Sequence, residues 1–163
     1  MDKTVSKCGR LDASANVAGV MTIEPPFALC HQEGEHGAAG WQWVFDVNVN
    51  DISNCLRSEL KYWSLEVRLS MRHQLLDYWI DKIFGAAPRG IRINAVAPGA
   101  IDTAMLRRAR EKGKRGKGQT KLIGGSPIER AAGSEEIAKA VMYLLSHDAS
   151  FVTRTILSVD GSL

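Results

Sequence analysis

Pro98-Gly99, followed by Ile101-Asp102-Thr103, is where residue types and spacing first suggest chemistry. Proline gives no N–H to a strand ladder and glycine tolerates positive φ. Such a turn can therefore bring bare backbone against a ligand, with a carboxylate and a hydroxyl just beyond it. A second group, His31, Glu33, Glu35 and His36, offers imidazole and carboxylate donors. These lie in the breaker-rich stretch 22–40, read as loop, where nothing fixes a tetrahedral arrangement, and no metal is expected. Cys8, Cys30 and Cys55 are odd in number and contain no Cys-x-x-Cys pair, which argues for reduced thiols rather than a disulfide framework or zinc site.

The elements that would position such residues follow from periodicity. Ile91, Ile93 and Ala95 alternate with Arg92, Asn94 and Val96, so a strand with one apolar face is predicted, stopped by Pro98-Gly99. In an open α/β sheet, ligands bind beyond the carboxyl ends of strands. A helix is predicted over 41–61, with Trp43, Val44, Val47, Ile52, Leu56 and Leu60 near helical spacing. Residues 62–74 hold no recognisable buried strand. Leu75, Leu76, Trp79, Ile80, Ile83 and Phe84 form one helical stripe, from which Tyr78 and Lys82 project away toward solvent. Ser134 is a predicted N-cap, with Glu135 and Glu136 in the first turn of a helix burying Ile137, Ala140, Val141, Leu144 and Leu145. A last strand is predicted over 151–159.

With 163 residues the chain fits one domain with a real core. No apolar run is long enough for a membrane span and the first residues do not resemble a signal peptide, so a cytoplasmic location is expected. The net charge is +3, yet residues 107–121 alone carry eight Lys or Arg against one Glu, a local +7 that leaves the remainder at −4. Without an aromatic platform this segment reads as a solvated surface rather than a nucleic-acid interface.

Three motifs carry a family resemblance. Asn94-Ala95-Val96-Ala97-Pro98-Gly99 with Ile101-Asp102-Thr103 resembles the late-strand signature of the short-chain dehydrogenases/reductases. Asn16-Val17-Ala18-Gly19 resembles their Asn-Asn-Ala-Gly motif after the central strand. The run from Trp41 to Asn48 resembles the helix whose asparagine joins their catalytic group. The C-terminal part is also similar, except that Arg154 stands at a position usually given to glycine, so the adjacent turn is expected to be strained.

The resemblance implies an α/β fold, a partial Rossmann-like doubly wound parallel sheet lacking the first nucleotide-binding βαβ units, since no Gly-x-x-x-Gly-x-Gly turn occurs in the sequence. It implies one incomplete domain: residues 1–61 with the central strand and helix, 62–88 altered, and 89–163 with the C-terminal strands, basic lid and last helix. It further implies NADP- or NAD-dependent hydride transfer on a carbonyl or alcohol of a small molecule, in specialised metabolism. Asn16, Ala18, Gly19, Pro98, Gly99, Ile101 and Thr103 would line the cofactor site, Asn48 would serve a proton relay as the catalytic residue, and the chain would form homo- or hetero-oligomers with a related protein.

The family's serine and Tyr-x-x-x-Lys are not found in register. Tyr78 and Lys82 lie about ten residues too near the later strand, and neither Ser64 nor Ser70 ends a recognisable strand. The alternative is therefore a catalytically silent relic or a partner subunit for an intact homologue.

Overall fold

The computed structural model describes residues 2–21, 37–62, 68–69, 90–115 and 127–162. His31, Glu33, Glu35, His36, Ser64, Ser70, Tyr78 and Lys82 lie outside them. The fold is α/β, with two parallel strand pairs among the described residues. Helix α1 (Asp2–Cys8) starts with an acidic residue and has Lys7 in its last turn, each sign matching the helix dipole. It ends at Gly9, whose φ of 79° is a left-handed conformation favouring glycine, and the Gly9 N–H donates to Val5 O.

Strand β1 (Ser14–Ala15) pairs in parallel with β2 (Arg68–Leu69), Ser14 opposite Arg68 and Ala15 opposite Leu69. Residues 62–74 thus contribute a strand that the sequence pattern did not reveal: two residues are too few to display an alternation.

The helix predicted over 41–61 starts earlier and is not uniform. Helix α2 (Gly37–Phe45) runs into a π-helical segment, Asp46–Asp51, and then into α3 (Ile52–Leu60). Ile52, Ser53, Leu56 and Glu59 are its buried positions, a stripe at helical spacing, whereas Trp43 is half exposed.

Strand β3 (Ala95–Pro98) and β4 (Ile156–Val159) pair in parallel from Ala95 opposite Ile156 to Pro98 opposite Val159. A parallel pair needs a long crossover. Helix α4 (Ala104–Arg115) and helix α5 (Ser134–Leu145) lie in that crossover. α5 covers the strand pair with the predicted stripe: Leu144 and Val96, both 0% exposed, pack with Ile137, Ala140, Val141, Val152, Leu157 and Val159. Its N-cap is Gly133 rather than Ser134. The Gly133 N–H donates to the Glu136 carboxylate, and the Glu136 N–H donates back to Gly133 O.

The expected alternation along 91–96 is not observed, since all six residues are buried. Arg92 and Asn94 are inside because their partners are backbone groups rather than water. Arg92 donates to Leu144 O, Ser146 O and Val152 O at 3.0, 3.1 and 3.2 Å, closing the carboxyl end of α5. Asn94 donates to Val152 O at 2.9 Å and accepts from the Thr155 N–H at 3.2 Å. The last strand is likewise shorter than predicted, and Phe151 is fully exposed. Arg154 bears out the expected strain at its position: its φ is 61°, a left-handed conformation unfavourable for a residue with a Cβ.

Candidate functional site

The π-helical segment places Asn48. A π turn inserts an extra residue into a helix and re-aims the side chains around it, a device frequent at functional sites. Here the Asn48 amide bonds both backbone polar groups of Val20: Oδ1 accepts the Val20 N–H and Nδ2 donates to Val20 O, each at 2.9 Å. The segment after β1 is therefore held against the helix as another strand would hold it. Among the described residues, a Cβ built on Gly19 would meet Asn48 Oδ1 alone, at an ordinary contact distance of 3.6 Å. Ala18 is exposed. Asn16 turns its amide toward Glu59 on α3, with Nδ2 at 3.3 and 3.4 Å from the two carboxylate oxygens. Asn16, Ala18, Gly19 and Asn48 are thus brought into one constellation.

Pro98, Gly99, Ile101 and Thr103 form a second. The Gly99 N–H donates to Val159 O, continuing the β3–β4 ladder by one residue. Ile101 makes a parallel bridge with Ala132: the Ala132 N–H donates to Ala100 O and the Asp102 N–H to Ala132 O, both at 2.9 Å. Thr103 caps α4, its hydroxyl accepting the Leu106 N–H at 3.3 Å. Asp102 pairs with exposed Arg107 at 2.8 Å.

Gly99 is required for space rather than for positive φ. A Cβ there would lie 2.7 Å from Asp160 Cα and 2.8 Å from Asp160 O, so the backbone that passes close to Gly99 is the protein's own.

A cavity of about 370 Å³ opens beside this turn, lined by Gly99, Ala100, Arg130, Glu136, Asp160 and Gly161 among others. Of the residues selected from the sequence, Gly99 alone lines it. Sequence reasoning missed Arg130 and Asp160 as cavity-wall residues and placed Glu136 only in the first turn of a helix, where the dipole favours an anion. Arg130 grips Glu136 with two nitrogens, at 2.7 and 2.9 Å. That pairing, followed by the Gly133 N–H, holds the Glu136 carboxyl down at about 2, and the Glu136 carboxylate raises the Arg130 pKa. The two are six positions apart, so helical spacing alone could not reveal the contact. Among the described residues no group of three or more His, Cys, Asp or Glu could hold a metal ion.

A family profile described as Enoyl-(Acyl carrier protein) reductase matches residues 85–163, from before β3 to the C-terminus. An uncharacterized oxidoreductase of Bacillus subtilis is 47% identical over 75 residues, covering 46% of this chain and 29% of the relative. The 3-oxoacyl-(acyl-carrier-protein) reductase of Thermotoga maritima is 25% identical over 187 residues, covering 100% of this chain and 70% of the relative. The crystal structure of levodione reductase superposes with a TM-score of 0.81 at 26% identity, over 98% of this chain and 69% of that one.

The chain belongs to the short-chain dehydrogenase/reductase family. These dehydrogenases/reductases are oxidoreductases on a Rossmann fold, to which the parallel pairs and covering helices described above correspond. The chain spans less than a third of the Bacillus relative and about 70% of the Thermotoga one. None of the described helices is long and apolar enough to cross a membrane.

Proposed function

We propose that this chain binds NADP or NAD and serves hydride transfer on the carbonyl or alcohol of a small molecule. The observation that carries the reading is the two-way clamp of Asn48 on Val20, which fixes the turn bearing Asn16, Ala18 and Gly19. Among the described residues a Cβ on Gly19 would meet Asn48 Oδ1 at an ordinary contact distance of 3.6 Å, which supports close approach of a nucleotide cofactor to this turn. The cofactor, when bound, would give the hydride to a carbonyl in its reduced form or take it from an alcohol in its oxidised form. Residues 16–19 would line its crevice, while Pro98, Gly99, Ile101 and Thr103 would embrace the nicotinamide end. Asn48 would orient the proton relay through the turn it holds. The loop after Gly19 and the basic segment after Thr103 would select the substrate, an assignment that rests on family likeness and names no compound.

The fit is to the nicotinamide end, because the sequence contains no Gly-x-x-x-Gly-x-Gly turn to cradle the pyrophosphate. One observation favours a second reading, a chain that binds or pairs with a homologue but does not catalyse: Tyr78 and Lys82 are out of register with the later strand. Titration with NADPH and NADH, followed by nicotinamide fluorescence, tests the first reading. Saturation at micromolar nucleotide with turnover of a test carbonyl supports it. Saturation without turnover supports the silent subunit, and no saturation with either nucleotide overturns the binding assignment.

A further inference from the structure

Glu59 is 1% exposed, an unusual place for a carboxylate, which is costly to bury unless hydrogen-bonded. Both its oxygens face Asn16 Nδ2, at 3.3 and 3.4 Å. Asn16 opens the turn that Val20 closes, and Val20 is held in turn by Asn48. The two holding side chains lie on the same continuous helix, Asn48 in its π segment and Glu59 in the last turn of α3. The five-residue turn 16–20 is therefore anchored at both ends to one element, with Val17 and Ala18 left exposed between the anchors. Fixing each backbone residue costs conformational entropy. A turn anchored before a ligand arrives does not impose that cost on binding.

We infer that Glu59 is a positioning residue for the cofactor-side turn: through Asn16 it holds residues 16–20 in the binding conformation and so sets nucleotide affinity. The affinity part rests on the function proposed above, whereas the positioning part does not. Asn48 alone would fix only the Val20 end. Glu59 fixes the other end from inside the core, where its acceptor oxygens are shielded from water that would compete for Asn16.

Hydrogen–deuterium exchange on the nucleotide-free protein and nucleotide titration test this together on four forms: parent, Glu59→Gln, Glu59→Leu and Asn16→Ala. Glu59→Leu is expected to speed exchange of the 17–20 amides about 10-fold, relative to those of β3 and β4, and to weaken nucleotide binding by a similar factor. Glu59→Gln keeps an acceptor for Asn16 Nδ2 and is expected within about 3-fold of the parent in both measurements. Asn16→Ala removes the donor without placing a new apolar group in the core, and should reproduce Glu59→Leu if that variant does not fold. Parent-like exchange in Asn16→Ala, or exchange raised uniformly through the molecule, overturns the inference. If the parent binds neither nucleotide, the proposed function fails and exchange alone decides the role of Glu59.

Discussion

Arg154 shows how a single residue can be legible from sequence for a backbone reason. Its place is one usually given to glycine in the family the chain resembles, and the φ of 61° gives the physical cause. A left-handed conformation costs a residue with a Cβ roughly 1–2 kcal/mol, offset in part by the greater freedom that glycine loses on folding. Arg154→Gly should therefore stabilise by about 0.5–1 kcal/mol and raise the melting midpoint by a few degrees. Thermal denaturation checks this, and a lower midpoint would mean that the contacts of the arginine side chain outweigh its backbone strain. Glu136 supports a prediction in pH. Its carboxyl is held at about 2, below an ordinary 4.5, by Arg130 and the Gly133 N–H. A lowered folded-state pKa adds stability that is fully present above the unfolded value and lost as pH falls through the folded one. Glu136→Gln should thus melt below the parent at neutral pH, with the gap closing between about pH 4.5 and 2. A gap that stays constant over that interval would show that the pairing with Arg130 is not its source.

At the scale of elements, the sequence revealed those that are long and periodic. α5 was legible because its stripe repeats over three turns, and residues Ile137, Ala140, Val141 and Leu144 pack on β3 and β4 as the spacing requires. The π segment was not legible, because Val47 fits the helical spacing of Trp43 and Val44 and nothing else in Asp46–Asp51 betrays an inserted residue. Alternation misled along 91–96, since a polar side chain counts as solvent-facing only if its partners are water. The partners of Arg92 are carbonyls more than fifty residues later, at the end of α5 and before β4. Arg92 thereby joins helix and strand, and its loss would leave buried carbonyls with fewer donors. Arg92→Met keeps much of the volume and removes these bonds, and is expected to cost on the order of 3 kcal/mol. Denaturant unfolding measures it directly. A cost under about 1 kcal/mol would show that water or neighbouring groups replace the guanidinium.

For the whole molecule, the same six residues argue that the described parts fold together. Ile91 and Ile93 pack with Leu11, Val5 and Leu60 at the α1 and α3 side, while Val96, three residues on, packs with Leu144 and the α5 stripe. One short buried segment therefore belongs to both apolar clusters, and neither can lose it without exposing the other. We propose that the chain behaves as a single domain, for which circular dichroism and intrinsic tryptophan fluorescence should report one coincident melting transition. The same experiment extends to the ligand. A nucleotide that binds only the folded chain stabilises it by about 2.7 kcal/mol when present at 100 times its dissociation constant. For a domain of this size that corresponds to an upward shift of roughly 5–10 °C, still in one transition. Two separated transitions would show that the Ile91 and Val96 ends of the segment unfold independently. A single transition that neither NADPH nor NADH moves would preserve the common core and remove the cofactor from the proposed function, because the stability of the fold does not depend on the site being used.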